Sequence, residues 1–162
     1  MQIAKTLYLI RHSKADFMTN GISDLERSLT AEGISDSHLV ANKLLQLDVK
    51  WDLLISSIAF RAINTAIIFS EKLGHTGEKI LLTEKLYETK LEDYMDVVGS
   101  IKKEYNNVAL FGHNQTISEL SFYLSEKIID FNTTTVVELL IAGGWDSITA
   151  NCAEVKNVIN VR

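Results

Sequence analysis

Two histidines and two arginines stand just beyond three short apolar runs of this chain. Leu7-Tyr-Leu-Ile10 leads into Arg11-His12-Ser13, Asp52-Leu-Leu-Ile-Ser56 into Ser57 and then Arg61, and Val108-Ala-Leu-Phe111 into Gly112-His113-Asn114. Continuous apolar runs of this length read as strands covered on both faces. In open α/β sheets ligands bind at the carboxyl ends of such strands, so the four side chains converge on one sheet edge. A phosphoryl group suits them. Its transfer is catalysed mainly by positioning and charge stabilisation. The planar fork of arginine fits its oxygens, and a charged hydrogen bond contributes about 1.5–3 kcal/mol net. A helix opening near Ala59 adds its N-terminal dipole and free amides to the same anion. A neutral histidine can take the phosphoryl group on one ring nitrogen while a hydrogen bond to the other fixes the tautomer. The flanking arginines lower its pKa and keep it uncharged. The second histidine, protonated, would stabilise the equatorial oxygens.

Other chemistries lack their motifs. Neither G-x-x-x-x-G-K-[ST] nor G-x-G-x-x-G is present, and there is no G-x-S-x-G elbow or H-E-x-x-H pair. Cys152 is the only cysteine, which excludes an internal disulfide and a cysteine-built zinc site. The expectation is chemistry with no metal and no cofactor. A net charge of −5 argues against general attraction to nucleic acid or to an anionic membrane, so a bound anion must meet a local basic site. The longest unbroken apolar stretches fall far short of the about 20 residues of a membrane span. The first residues lack the apolar core and cleavage site of a signal peptide, and a cytoplasmic protein is expected.

Strand and helix signals alternate along the 162 residues. Thr30 reads as the N-cap of a helix over 31–47, and a second helix is expected over 59–73 with Gly74 as its stop. Further strands are expected at 80–82, 136–141 and 155–161, with helices over 91–105 and through Ile117, Leu120 and Leu124. Alternation at this spacing predicts an α/β fold: a three-layer sandwich with a mostly parallel central sheet flanked by helices. With no linker, repeat or low-complexity tract, residues 1–162 read as one domain. The chain has no proline, so its turns rely on Gly, Asn, Asp and Ser.

Four segments carry a resemblance to a known family. Leu9-Ile-Arg-His-Ser13 resembles the R-H-G/A signature of the histidine phosphatase (phosphoglycerate-mutase-like) superfamily. Asp24-Leu-Glu-Arg-Ser-Leu-Thr-Ala-Glu-Gly33 is similar to its D-x-x-R-P-L-T-x-x-G segment. Ser56-Ser-Ile-Ala-Phe-Arg-Ala-Ile-Asn-Thr65 is similar to S-S-P-x-x-R-A-x-x-T, and Gly112-His-Asn-Gln115 to G-H-N-P. The compact chain resembles the SixA-type phosphohistidine phosphatase branch, with Phe131-Asn-Thr-Thr134 and Trp145 as weaker matches. The resemblance implies a phosphoglycerate-mutase-like fold, with His12 as the phosphorylated nucleophile and Arg11, Arg61 and His113 as the phosphate pocket. It also implies a metal-free, two-step mechanism through a phosphohistidine. Ser28, Ile58, Gln115 and Asn132 stand where the pattern has proline, which bears on loop rigidity and removes no reacting group.

Other residues carry a bland reading beside a functional one. Arg27 contacts substrate or pairs with Asp24 or Glu26 in a loop. Asn114 hydrogen-bonds near the site or caps the next helix. Glu88 is the candidate general acid, drawn from the region where larger superfamily members carry a carboxylate. His38, at helical spacing from Ile34, is expected to be partly buried, and Trp51 and Trp145 to pack in the core or at its edge. The function expected is removal of phosphate from phosphohistidine in a protein partner. The alternatives are a phosphomonoesterase or mutase acting on a small phosphorylated metabolite, and a catalytically silent phospho-ligand binding module.

Overall fold

In strand β1 (Lys5–Arg11), Leu7 and Leu9 face one side, Tyr8 and Ile10 the other, and all four are buried. A strand with apolar side chains on both faces needs a helix layer on each side. The computed structural model, which describes residues 4–17, 19, 21–75 and 80–162, supplies both layers. The other strands are β2 (Leu53–Ser57), β3 (Ile80–Thr83), β4 (Asn107–Gly112), β5 (Val136–Ile141) and β6 (Ala153–Ile159). They form one sheet in the order β3-β2-β4-β1-β5-β6. The β1–β4, β4–β2 and β2–β3 pairs are parallel, while β5 and β6 run antiparallel to their neighbours.

Helices α1 (Ala31–Gln46) and α2 (Phe60–Lys72) cover the face of Tyr8, Ile10, Leu54 and Phe111, inserting Val40, Leu44 and Phe69. Helices α3 (Leu91–Gly99) and α4 (Thr116–Ser125) cover the face of Leu7, Leu9, Val108 and Leu110 with Tyr94, Val98, Ile117 and Leu120. Each fully buried side chain of this kind contributes roughly 1.5–3 kcal/mol, which fixes both layers against the sheet. The expected three-layer α/β sandwich with a mostly parallel sheet is the observed one. Thr30 caps α1 as expected, its Oγ1 accepting from the Gly33 amide at 2.9 Å. Trp51 and Trp145 are both core residues.

Three details differ from the sequence reading. The helix expected over 91–105 stops at Gly99. The carbonyls of Lys103 and Tyr105 and the Asn106 Oδ1 accept from the Lys5 ammonium instead, and the Tyr105 carbonyl also accepts from Trp145 Nε1 at 2.8 Å. A continued helix would aim those carbonyls along its own axis. The last strand begins two residues earlier than expected and pairs with β5 across an irregularity at Glu138/Leu139. His38 is exposed, because the buried stripe of α1 runs through Gly33, Ser37, Val40, Ala41 and Leu44.

One consequence of the strand order positions the site. β2, β4 and β1 are neighbours, and their registers pair Arg11 with Gly112 and Ser56 with Phe111. Three strand ends far apart in the chain therefore finish level, side by side.

Candidate active site

His12 and His113 each follow the last residue of a central strand, and their ring centroids lie 5.1 Å apart. The His12 amide donates to the Gly112 carbonyl at 3.2 Å, tying the two strand exits together. His12 Nδ1 lies 2.7 Å from the Ser13 carbonyl. A carbonyl can only accept, so Nδ1 carries the proton and the neutral ring keeps its free lone pair on Nε2.

A chain of buried hydroxyls holds the residue that pins this ring. Thr134 Oγ1 donates to Ser13 Oγ at 2.8 Å, Ser13 Oγ lies 2.6 Å from Ser37 Oγ, and Ser37 Oγ donates to the Gly33 carbonyl at 2.8 Å. Since Ser37 spends its proton on Gly33, Ser13 must donate to Ser37. The Ser13 amide donates to Thr65 Oγ1 at 3.0 Å, which donates to the Arg61 carbonyl. Position 33 has to be glycine, because a Cβ there would sit 2.2 Å from the Lys14 carbonyl oxygen.

His113 is held from two sides. Its amide donates to Tyr94 Oη at 3.0 Å, and Tyr94 Oη donates to the Leu86 carbonyl at 2.8 Å. Its Nε2 lies 2.7 Å from Ser57 Oγ. The approach of Tyr94 requires glycine at 112, where a Cβ would stand 2.6 Å from the phenol oxygen.

Both arginines are anchored through part of their fork. Arg11 Nη1 donates to the Phe131 carbonyl at 2.8 Å. Arg61 Nη1 donates to the Asp24 carbonyl at 2.7 Å, and Nη2 to Asp24 Oδ2 at 3.0 Å. The Nε of each is buried without a protein partner. Buried donors are nearly always satisfied, and two such donors in one pocket are what an oxyanion would complete. Helix α2, which carries Arg61, has no acidic residue in its first turn and no side-chain cap, leaving its first amides open to the same anion.

The electrostatics keep both imidazoles neutral. Burial, helped by the charges of Arg61, Arg11 and Arg27, pulls His12 down to about 4 against the one bond to Ser13 that favours its charged form. Burial, His12 and Arg61 pull His113 down to about 3. In the pocket as it stands, His113 is uncharged. Asp24 behaves oppositely. Burial pushes its carboxyl up, but hydrogen bonds from Arg27 and Tyr87 and the charge of Arg61 outweigh burial and hold it at about 2.

Arg11, His12, Arg61 and His113 are thus brought together, and the remaining candidates are not all among them. Arg27 is a loop ion pair, with Nη1 on Asp24 Oδ1 at 2.9 Å and Nε on the Asp16 carbonyl at 2.6 Å. Asn114 is exposed and its Oδ1 accepts from the Ser118 hydroxyl in the first turn of α4. Glu88 is exposed, has a left-handed backbone (φ 44°), and makes no side-chain hydrogen bond or ion pair among the described residues. No group of three His, Cys, Asp or Glu side chains among the described residues could hold a metal ion. No helix among them is long and apolar enough to cross a membrane.

Sequence reasoning missed Asp24, Ser57, Tyr87, Tyr94 and Thr134 as parts of this site. Asp24 lies inside the segment 24–33 already singled out, Tyr87 stands next to Glu88, and Tyr94 sits on the apolar stripe of α3. Thr134, with φ 67°, belongs to the Phe131–Thr134 segment that had matched only weakly, yet that segment anchors both Arg11 and Ser13.

Comparisons with known proteins bear on the whole arrangement. A phosphoserine phosphatase 2, so named provisionally, from Hydrogenobacter thermophilus is 33% identical over 92 residues, covering 56% of this chain and 43% of that protein. The mitochondrial serine/threonine-protein phosphatase Pgam5 of Drosophila ananassae is 30% identical over 78 residues, 48% of this chain and 26% of its own. The chain therefore spans less than half the length of these curated relatives. In fold it matches the protein histidine phosphatase SixA complexed with tungstate at a TM-score of 0.83 and 19% identity, covering 96% of this chain and 97% of that one. The strand ends that carry Arg11, His12 and Arg61 all fall within residues 7–109, which match the model of the histidine phosphatase superfamily (branch 1), and the chain belongs to that family.

Proposed function

We propose that the chain is a phosphatase that uses His12 as its nucleophile, needs no metal, and removes phosphate from phosphohistidine in a protein partner. The observation that carries the proposal is the pinned neutral ring of His12, 5.1 Å from His113 and flanked by two arginines with unused buried donors. The phosphoryl group binds to Arg11 and Arg61. As the His12 Nε2–phosphorus bond forms, the bond from phosphorus to the leaving group breaks and the leaving group keeps the electron pair. Water then attacks phosphorus, the Nε2–phosphorus bond returns its pair to the ring, and inorganic phosphate departs. The dianion between the two imidazoles favours their charged forms, so His113 takes a proton when substrate arrives and donates to an equatorial oxygen. The catalytic unit in this reading is residues 1–162 taken as one domain.

The choice of phosphohistidine rests on the missing acid. Asp24, the carboxylate bonded into the pocket, stays ionised down to about pH 2 and has no proton to give. Glu88 points to no partner in the site. An alkoxide needs a proton on leaving, worth about 10²–10⁴-fold, whereas phosphohistidine leaves as neutral imidazole once its distal ring nitrogen has taken a proton from solvent, so the site need not supply one. The tungstate-bound relative is called a protein histidine phosphatase, which agrees with this choice.

The test compares a phosphohistidine peptide, p-nitrophenyl phosphate and an alkyl phosphate, each with EDTA, for the wild type and His12→Ala. Turnover of the first two that vanishes in the variant, with the alkyl ester poor, is expected. Preference for the alkyl ester would move the protein to the phosphomonoesterases. No turnover of any of them would leave a phospho-ligand binding module.

A further inference from the structure

Asp24 lies in a 3-10 turn (Asp24–Glu26) of the loop that follows β1, and three side chains from three parts of the chain meet on it. Arg61 reaches it from α2 through both terminal nitrogens, Arg27 donates to Oδ1 at 2.9 Å, and the Tyr87 hydroxyl donates to Oδ2 at 2.8 Å. The Tyr87 ring in turn meets His113 edge-on at 5.7 Å and lies 6.0 Å from the Arg61 guanidinium carbon. A carboxylate in a phosphate pocket could compete with the substrate for Arg61. The way the fork is used argues otherwise. A guanidinium has five N–H donors in one plane, and Asp24 takes one from Nη1 on its main-chain carbonyl and one from Nη2 on its carboxylate Oδ2, the end of the fork. The side edge remains, with the Nε–H that is buried and unpartnered. Two parallel donors on that edge are the pair a phosphoryl group accepts.

We infer that Asp24 is a positioning residue, which grips Arg61 end-on so that the side edge of its guanidinium faces the phosphoryl group. The same carboxylate holds Arg27 away from the substrate and fixes the Tyr87 wall beside His113. The inference rests on the phosphatase reading for its kinetic consequence but not for its binding consequence. A cation in the first turn of a helix is disfavoured by the helix dipole, and Asp24 offsets that cost while leaving the reacting edge free.

The experiment measures vanadate binding by calorimetry and steady-state kinetics on p-nitrophenyl phosphate for wild type, Asp24→Asn and Tyr87→Phe. An asparagine side chain would turn an N–H₂ towards one of its donors and loosen the Nη2 end of Arg61, while the main-chain carbonyl of residue 24 still holds Nη1. The expected result for Asp24→Asn is weaker vanadate binding by roughly 10–100-fold, the equivalent of one charged hydrogen bond. kcat should fall in parallel and KM much less, since vanadate resembles the transition state more than the substrate. Tyr87→Phe keeps the carboxylate and loses one donor, so a smaller loss in the same direction is expected. The His113 ring signal should also move in Asp24→Asn, because the carboxylate charge acts directly on it. Tighter vanadate binding or a lowered KM in Asp24→Asn would make Asp24 a competitor and overturn the inference. Unchanged binding and kcat would make it a bystander and overturn it as well. Should Asp24→Asn fail to fold, unchanged vanadate binding in Tyr87→Phe counts against the inference and weakened binding for it. A wild type that hydrolyses nothing yet binds vanadate would sink the phosphatase reading alone, leaving Asp24 to be judged by binding.

Discussion

The two halves of the pocket are held by different means. His12 rests on neutral, fully buried groups: the Ser13 carbonyl and the hydroxyls of Ser13, Ser37, Thr65 and Thr134. Arg61 rests on an ionised carboxylate that is about a quarter exposed and shared with Arg27 and Tyr87. The difference follows the needs of the two side chains. A nucleophilic imidazole must stay uncharged, and a neutral low-dielectric surrounding, helped by the nearby arginine charges, disfavours its protonation. A guanidinium never loses its charge, and burying it requires an ionic partner or an anionic ligand. The neutral half therefore sets the proton state of the site, and the ionic half sets its aim.

The comparison breaks first at Arg61. Arg61→Ala removes the ionic half, and in the proposed reaction each charged contact to the phosphoryl group would contribute about 1.5–3 kcal/mol. A contact made mainly in the transition state appears in the rate at tenfold per about 1.36 kcal/mol. The expected loss in kcat/KM is on the order of 10–100-fold or more, with the circular dichroism spectrum unchanged. A variant with near-normal kcat/KM would leave Arg61 a structural ion pair.

The neutral half responds to pH. In the unfolded chain both histidines titrate near 6.5; in the folded chain His12 does so at about 4 and His113 at about 3. Below pH 6.5 the unfolded chain binds more protons, so stability falls as pH drops from about 6.5 towards 4, and the loss is complete only below about 3. Both ring signals should remain those of neutral imidazole at pH 5.5 in a proton magnetic resonance titration without anion. Added phosphate should raise both pKa values. A titration centred at 6.5 without phosphate would mean that the hydroxyl half does not shield the ring.

A third change separates positioning from stability within the neutral half. Ser13→Ala removes the hydroxyl between Thr134 and Ser37 but keeps the backbone carbonyl that pins His12. The Thr134 hydroxyl is left buried without its acceptor, a cost of about 1–3 kcal/mol. Thermal unfolding should shift down by several degrees, and kcat by less than about threefold, because the catalytic contact is made by main chain. A large fall in kcat at unchanged melting temperature would show that the hydroxyl itself orients the ring.

What was legible in the sequence follows the same division. Strand exits are readable because an apolar run followed by Arg11-His12 or Gly112-His113 is a local pattern, and the structure brings the side chains at those exits onto one sheet edge. The helix boundary at Gly99 was not, because the signal lies in Lys5, about a hundred residues away, whose ammonium draws off the carbonyls of 103 and 105. Asp24 and Tyr87 escaped for the same reason. Each looks locally like a solvated loop residue, and only the adjacency of the loop after β1, the start of α2 and the segment before α3 brings them onto Arg61. Ser13 gives no local sign of its role, since the value of a buried hydroxyl depends wholly on Ser37 and Thr134 lying opposite.

The smallest expected effect sharpens the comparison furthest, because it asks whether the pocket has a third, acidic part. Glu88 stands one residue beyond Tyr87, exposed and without a hydrogen bond or ion pair among the described residues. If the two halves described are sufficient, Glu88→Gln should change hydrolysis of a phosphohistidine peptide by less than about twofold, since the imidazole leaves with little help. p-Nitrophenyl phosphate, with a stable leaving group, should be equally indifferent. An alkyl phosphate is the sensitive probe, because its alkoxide requires a proton and a general acid there contributes about 10²–10⁴-fold. A loss of that size on the alkyl ester alone would show that Glu88 swings in for phosphomonoesters. A loss on both the peptide and the alkyl ester would make Glu88 part of the site for every substrate, and the pocket would then have three parts, with the acid supplied by a residue that the resting structure leaves in solvent.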